Sequence, residues 1–158
     1  MEFKTLTQED AESISAYVHD MWVDTYAPII LGGRERAESI FDDWVGPDRI
    51  RKDMEAGHFF LNPILDGEAV GLISAGKEGD NLVISKMYIS PDHRNKGLGR
   101  KCMDYLLDYG RESGCRTATL EVNPLNSSAK KFYESFGFTE IRKRKYLKGY
   151  TVIMAVDL

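Results

Sequence analysis

The N-terminal third of the chain carries apolar residues at helical spacing. Thr7 precedes the sequence QED, so it is a candidate N-cap with acidic residues in the first helical turn. The apolar residues that follow fall on one face of a helix: Ile14, Val18, Met21 and Trp22. This pattern predicts a helix that runs to about Thr25. A second helical stretch covers 34–44, and Pro47 fits the first position of a third, short helix.

The middle of the chain is apolar and β-branched instead. Three such segments, together with a short N-terminal one, read as strands: 2–6, 58–65, 68–76 and 81–90. Asp66-Gly67 separates the first two of the central segments, and Glu78-Gly79-Asp80 separates the next two. Because these are turn residues, we expect three successive antiparallel strands.

The second half alternates between helix and strand. Apolar residues on one stripe predict a helix over 97–113, and Gly114 is its stop signal. The elements that follow are a strand, a helix and two closing strands: 116–122, 127–136, 138–146 and 149–157. Strand 81–90, helix 97–113 and strand 116–122 form a β-α-β unit, which we expect to be parallel and right-handed. The predicted fold class is therefore α/β, a mostly antiparallel mixed sheet with one parallel crossover, in a single domain over 1–158.

Composition narrows the class of protein. The chain has 158 residues, 42% of them hydrophobic and 29% charged, with a net charge of -4. This mildly acidic balance argues against a general nucleic-acid binder. Apolar runs are far shorter than the ~20 residues of a membrane span, and the N-terminus has no apolar signal core. We expect a cytoplasmic protein whose two cysteines, Cys102 and Cys115, are buried or idle thiols.

A glycine pair marks the candidate chemistry. Gly97 and Gly99 stand between a predicted strand and a predicted helix, where backbone N–H groups and the helix dipole favour a phosphate. Four cations surround them: Arg94, Lys96, Arg100 and Lys101. The segment therefore predicts an anion site, and the alternative is a solvated basic helix start.

Other motifs in the sequence give weaker functional signals. A dinucleotide-binding fingerprint would need a third glycine where Cys102 stands, and a phosphate-binding loop would need Ser or Thr where Glu78 follows Lys77. The three histidines show no ligand spacing with each other or with cysteine, so no metal is expected. The basic run 142–145 would alternate faces on a strand, which favours a solvated edge that deters sheet pairing over a nucleic-acid patch.

Two motifs resemble one family. Arg94-x-x-Gly97-x-Gly99 resembles the acetyl-CoA pyrophosphate motif of the GNAT acyltransferase superfamily. A second signature of that family is similar to the stretch 126–138, which begins at Asn126 and includes Tyr133. The resemblance covers roughly 58–146, and it implies a GNAT-like acyl-CoA N-acyltransferase fold with acetyl-CoA as co-substrate and no metal.

The resemblance also implies a set of cofactor contacts. The pyrophosphate would be held by Arg94, Asn95, Lys96, Gly97, Leu98, Gly99 and Arg100. The backbone of Met87, Tyr88 and Ile89 would pair with the pantetheine arm as an added strand. The family's fourth and fifth strands, here 81–90 and 116–122, would splay apart for that arm, and Asn126 would bind the cofactor from the other side.

Two catalytic roles follow from the same resemblance. Tyr133 matches the tyrosine that protonates the leaving thiolate, and its alternative is a core aromatic. Some members carry a glutamate base early on the fourth strand, but 83–86 holds no acid. Glu121 is the remaining candidate, acting through water, and a structural role for it stays open.

The acceptor is the least determined part. In this family the first two helices contribute to acceptor recognition, and Trp22, Asp24 and Tyr26 resemble the aromatic and acidic cluster of polyamine-acetylating members. We expect acetyl transfer to a primary amine of a small, polyamine-like molecule or of a peptide or protein, by direct attack in a ternary complex. The alternative is an inactive CoA-binding sensor. Neither a nucleic acid nor a membrane is an expected partner, and a homodimer is compatible with this assignment.

Overall fold

The computed structural model describes residues 1–146 and 149–158. Five helices and eight strands follow each other in this part of the chain. The helices are α1 (Ala11–Tyr26), α2 (Gly33–Val45), α3 (Pro47–Glu55), α4 (Leu98–Glu112) and α5 (Ser127–Glu134). The strands are β1 (Glu2–Thr5), β2 (Phe59–Leu65), β3 (Glu68–Ala69), β4 (Gly71–Glu78), β5 (Asn81–Ile89), β6 (Thr117–Val122), β7 (Thr139–Tyr146) and β8 (Gly149–Asp157).

The chain divides into two compact units. The first contains 1–74 and 86–102, and the second contains 75–85 and 103–158. In the described residues the strands form an eight-stranded, mostly antiparallel sheet in which β5 and β6 are the parallel pair. The predicted fold class is confirmed. The single domain stays a prediction.

The first unit places three helices on a short sheet. Its core contains fully buried side chains from every helix and from β2, including Val18, Ile50 and Phe60. Thr7 is the N-cap, as predicted, and its amide donates to Asp10 Oδ2 at 2.8 Å. The first turn, Gln8–Asp10, is a 3-10 helix, and α1 proper begins at Ala11. β1 lies antiparallel to β2, from Glu2 opposite Ile64 to Thr5 opposite Leu61.

The second unit contains the parallel crossover. β5 runs parallel to β6, from Asn81 opposite Thr117 to Ile84 opposite Leu120. β8 lies antiparallel to β6, and β7 pairs with β8 at the edge. Along β6, residues Ala118, Leu120 and Val122 are buried and the residues between them are half-buried. This alternation puts Thr119 and Glu121 on one face, as a strand requires.

One predicted strand is broken. The segment 68–76 divides at Val70 into β3 and β4. The Val70 amide donates to the Pro63 carbonyl at 2.9 Å, and its carbonyl accepts from the Ser90 amide at 2.9 Å. At Gly71 an added Cβ would lie 2.2 Å from the Tyr88 carbonyl oxygen, so only glycine permits this approach. The close approach ties β4 to the end of β5, where the cofactor contacts are predicted.

Across the described residues, no helix is long and apolar enough to span a bilayer.

Candidate functional site

The loop after β5 is anchored by its own side chains. β5 ends at Ile89, and a 3-10 turn covers Pro91–His93. The Ser90 hydroxyl lies 2.7 Å from His93 Nδ1. Arg94 Nε donates to the Ile89 carbonyl at 3.0 Å, so this side chain folds back onto the strand end. These contacts fix the direction in which the chain enters the glycine-rich segment.

Two left-handed residues then bend the backbone. Asn95 has φ 62° and Gly97 has φ 75°. Residues of this conformation turn successive N–H groups toward a common point, which suits an anion. The resemblance names both residues for the pyrophosphate, but the sequence did not indicate the left-handed conformation of Asn95, which asparagine adopts more readily than most non-glycine residues. Asn95, Lys96 and Gly97 are exposed, so an anion in solution can reach the bend.

α4 begins directly after the bend. Leu98 is buried at 4% exposure, so its side chain anchors the helix and only its backbone can serve the predicted contact. The Lys101 amide donates to the Gly97 carbonyl at 3.3 Å, which closes the first helical turn. The amides before Lys101 in such a turn have no acceptor within the helix. Together with the helix dipole they favour a phosphate group at this end.

The end of β5 presents its backbone to two sides. The Tyr88 carbonyl faces Gly71, and the Ser90 amide bonds to Val70. Backbone groups alternate along a strand, so those of Met87 and Ile89 point away from β4. The Ile89 carbonyl accepts from Arg94, and pairing of Met87, Tyr88 and Ile89 with an extended ligand stays a prediction. The splay of the two strands stays a prediction.

Lys86 precedes this strand end and belongs to a charged cluster. It is half-buried, and burial lowers its pKa while the nearby Asp53 carboxylate opposes that shift. Arg49 Nε donates to Asp53 Oδ1 at 3.0 Å. β5 therefore carries this lysine, and no carboxylate of its own, just before the predicted pantetheine contacts.

Glu121 is held by two side chains of the edge strand. Tyr146 donates its hydroxyl to Glu121 Oε2 at 2.8 Å, and Arg144 Nη1 lies 3.3 Å from Oε1. The Glu121 side chain is 26% exposed, so it is oriented but still reachable by solvent. Burial, and next the bond to Glu121, raise the pKa of Tyr146, which keeps this hydroxyl a neutral donor. Sequence reasoning missed both partners because they come from β7.

Asn126 caps the short helix α5, and Tyr133 lies within it. Asn126 is the N-cap of α5, and its side-chain oxygen accepts from the Ala129 amide at 3.4 Å. This role uses the oxygen and leaves the amide group of the same side chain for a ligand. Tyr133 is half-buried, with ring centroids 5.7 Å from Phe132 and 6.2 Å from Phe138. The aromatic contacts orient the ring that would carry the proposed acid.

The predicted acceptor residues have other roles in the first unit. Trp22 is buried at 6% exposure, with its ring 5.6 Å from that of Phe41, so it serves the core. Tyr26 lies against Trp22 at 4.8 Å between ring centroids. The Asp24 carboxylate is exposed, but Arg34 Nη2 lies 2.5 Å from it. A cationic acceptor would have to compete with that guanidinium.

Both cysteines, Cys102 and Cys115, are buried. Cys102 is buried on α4, and burial raises the pKa of its thiol to about 12. A thiol of this kind is a poor nucleophile near neutral pH. Within residues 1–146 and 149–158, no three His, Cys, Asp or Glu side chains are grouped as a metal site would require.

Two curated acetyltransferases are about one-third identical to part of this chain. The ribosomal protein bS18-alanine N-acetyltransferase of Escherichia coli K12 is 36% identical over 69 residues, 42% of this chain and 47% of the relative. The streptothricin acetyltransferase of Streptomyces lavendulae is 35% identical over 75 residues, 46% of this chain and 40% of that protein. The aligned part of the chain thus spans about half the length of these curated relatives or less.

A solved structure and a family model extend the comparison over most of the chain. The structure of PaiA N-acetyltransferase from Thermoplasma acidophilum in complex with coenzyme A has a TM-score of 0.82 at 20% identity. That alignment covers 99% of this chain and 98% of the other, and it supports the fold. The acetyltransferase (GNAT) family model matches residues 16–138, a range that holds the glycine-rich loop, Glu121 and Tyr133. The chain therefore belongs to the acetyltransferase (GNAT) family.

Proposed function

We propose that this protein transfers the acetyl group of acetyl-CoA to a primary amine by direct attack in a ternary complex. The observation that carries the proposal is the bend at Asn95 and Gly97, which leads directly into the first turn of α4. Backbone donors at such a helix start favour a diphosphate. Membership in the GNAT family identifies acetyl-CoA, a thioester that contains a diphosphate, as the ligand.

Tyr133 is the proposed acid. Acyl transfer breaks the bond from carbonyl carbon to sulfur, and the leaving thiolate then takes a proton. A phenol near pKa 10 gives its proton to a thiolate with a reference near 8.5 at a cost of about 2 kcal/mol. Contacts with Phe132 and Phe138 restrict the orientation of the half-buried Tyr133 ring and so the position of its hydroxyl.

Glu121 is the proposed proton acceptor for the amine, directly or through water. A Lys-like amine costs about 4.6 kcal/mol to deprotonate at pH 7, whereas an α-amino group costs about 1 kcal/mol. Arg144 and Tyr146 hold the Glu121 carboxylate in one orientation. An α-amino group therefore needs the least help with deprotonation from this half-buried base.

These contacts favour a polypeptide amine over a polyamine as the acceptor. Trp22 is in the core and Asp24 is paired with Arg34, so the cluster that suggested a polyamine has other partners. A polycation would also approach Glu121 past the guanidinium of Arg144. The relative from Escherichia coli is named for acetylation of an alanine on a ribosomal protein, which agrees with this choice.

The experiment has two parts. Calorimetry with acetyl-CoA should show binding that CoA competes away, and thiol release should then depend on an added amine, with peptide N-termini compared with polyamines. Gly99→Glu places a bulky anion in the glycine pair, so binding should be lost while the circular dichroism spectrum is kept. Binding with no turnover on any amine would favour a CoA-binding sensor. No binding at all would end the assignment.

A further inference from the structure

The edge strand whose side chains hold Glu121 also carries a run of cations, most of which the proposed chemistry does not use. β7 lies at the sheet edge of the second unit, and all of its residues are exposed. It carries four consecutive cations in a chain whose net charge is -4: Arg142, Lys143, Arg144 and Lys145. An exposed edge is often protected by charge, but that role needs no particular face.

The register assigns these cations to two faces. Glu121 pairs with Ile153, and Ile153 pairs with Arg142, so the three lie in one row across β6, β8 and β7. Residues paired in this way point to the same face of a sheet. Arg144 lies two residues further along the same strand and reaches Glu121 at 3.3 Å. Both arginines therefore share the face of the proposed proton acceptor.

The lysines face the other way. Lys143 pairs with the buried Val152, and its Nζ lies 4.8 Å from the centroid of the Tyr150 ring. Lys145 pairs with Tyr150 on that side. The arginines and lysines of the run thus form two separate pairs, and only the arginine pair, Arg142 and Arg144, is continuous with Glu121.

We propose that the arginine pair binds an acidic side chain near the amino end of the acceptor polypeptide. This inference rests on the proposed function and names its substrate class. Neighbouring strands are about 4.8 Å apart, so the backbones at Glu121 and Arg142 are about 10 Å apart. An extended peptide covers that distance in about three residues. An amine at Glu121 would then bring an acidic residue among the first four positions to the guanidinium groups, which bind carboxylates in a fixed geometry.

Two other ligands fit this face less well. A polyamine would meet two guanidinium groups beside the carboxylate. A nucleic acid would bring phosphates to Glu121, and it could not contact all four cations at once because they lie on opposite faces of β7. An acceptor with a positive amine and a nearby negative side chain is complementary to the Glu121 carboxylate and to the arginine pair.

The test compares two acceptor peptides of equal length with the same N-terminal residue. One carries Asp and Glu at the second to fourth positions, and the other carries Lys there. We expect wild-type protein to favour the acidic peptide about tenfold or more in kcat/KM, mainly through KM. Arg142→Glu should abolish or invert that preference, while Lys143→Glu, with the same charge change on the opposite face, should leave it within about twofold.

The outcomes separate this inference from the proposed function. Equal transfer to both peptides, or equal effects of the two variants, would overturn the acidic-acceptor inference and leave acetyl transfer intact. No transfer to any amine would overturn both. Binding of single-stranded RNA that is lost in Arg142→Glu and weakens steeply with salt would assign the face to a nucleic acid instead. Acetyl-CoA affinity should be the same in the wild type and both variants.

Discussion

The Tyr146 hydroxyl donates a 2.8 Å hydrogen bond to Glu121 Oε2, from an edge strand to a strand two positions away in the sheet. The side chain of Tyr146 thus reaches past β8 to a carboxylate on β6. Because burial and this bond raise the pKa of Tyr146, the phenol stays protonated through the neutral and mildly alkaline range. The carboxylate of Glu121 is oriented by a donor that does not titrate where a base would work.

Tyr146→Phe tests whether Glu121 is the base. The variant removes a hydrogen bond that orients the carboxylate, so kcat/KM should fall about tenfold while the Kd of acetyl-CoA changes less than about twofold. Steady-state kinetics with a peptide acceptor and calorimetry give the two values. Tyr150→Phe is the matched control, because Tyr150 lies on the opposite face beside Lys143 and its loss of a hydroxyl should leave kcat/KM unchanged. Equal kcat/KM for all three proteins would remove Glu121 from the mechanism.

Tyr133→Phe tests the proposed acid. Phenylalanine keeps the ring contacts with Phe132 and Phe138 and removes only the hydroxyl. We expect kcat to fall about a hundredfold or more, within the range of general acid catalysis, while the Kd of acetyl-CoA changes less than about twofold. Steady-state kinetics and calorimetry give the two values. A variant with normal turnover would return Tyr133 to a purely structural role.

Gly97→Ala tests the backbone bend. Gly97 has φ 75° with no heavy atom within 4 Å of an added Cβ, so alanine there meets backbone strain but no clash. We expect about 1 kcal/mol of lost stability and at least a tenfold weaker Kd for acetyl-CoA, because the amides shift. Gly114→Ala is the control at the far end of α4, with φ 82° and equal space. It should lose similar stability and keep its acetyl-CoA affinity, and equal affinity losses would contradict the assignment of the bend.

The sequence predicted the elements well because their signals are local. Helical spacing, turn residues and the glycine pair identified each helix and strand to within a few residues, apart from the break at Val70. That break depends on the Tyr88 carbonyl approaching Gly71, a contact between strands that no local pattern encodes. A predicted element can therefore be right in kind and still miss a division imposed by its neighbours.

The candidate site was less predictable for the same reason. Glu121 could be proposed from a motif, but its partners Arg144 and Tyr146 depend on the pairing of β6, β8 and β7. Asn95 carries no glycine signal, although its φ of 62° completes the bend. The sequence did not indicate that Trp22 packs in the core or that Arg34 pairs with Asp24, and the role of both residues toward an acceptor stays a prediction. Long-range register decides which polar residues meet.

Cys102 provides a test of direct transfer. Burial raises the pKa of its thiol to about 12, so thiolate is scarce below pH 9. We expect slow alkylation of Cys102 by iodoacetamide in the folded protein and rapid alkylation in denaturant, followed by mass spectrometry. Cys102→Ala should keep turnover within about threefold, with a stability cost of about 1–2 kcal/mol from lost packing. An acetylated Cys102 trapped from acetyl-CoA, or turnover lost with the fold intact, would point to a modified-enzyme route.

The contact of His19 on α1 with Glu38 on α2 should stabilise the protein in a pH-dependent way. Its Nδ1 lies 2.9 Å from Asp20 Oδ1 and its Nε2 lies 2.7 Å from Glu38 Oε2. The hydrogen bond with Asp20, and next that with Glu38, raise the pKa of His19 above its ordinary value near 6.5. A raised pKa means that the folded state holds the proton more tightly, so this stabilisation is complete below the unfolded value and is lost as pH rises through the folded one.

His19→Gln should therefore destabilise the protein more at pH 5.5 than at pH 9. The ring edge also packs on Phe41 at 4.8 Å between centroids, and that loss is the same at both pH values. Because the side chain is 34% exposed and solvent screens the pair, we expect the difference between the two pH values to stay below about 1 kcal/mol. Urea unfolding at each pH measures it, with Glu38→Gln as the matched variant from the other helix. A loss of stability independent of pH in both variants would show that His19 contributes through packing alone.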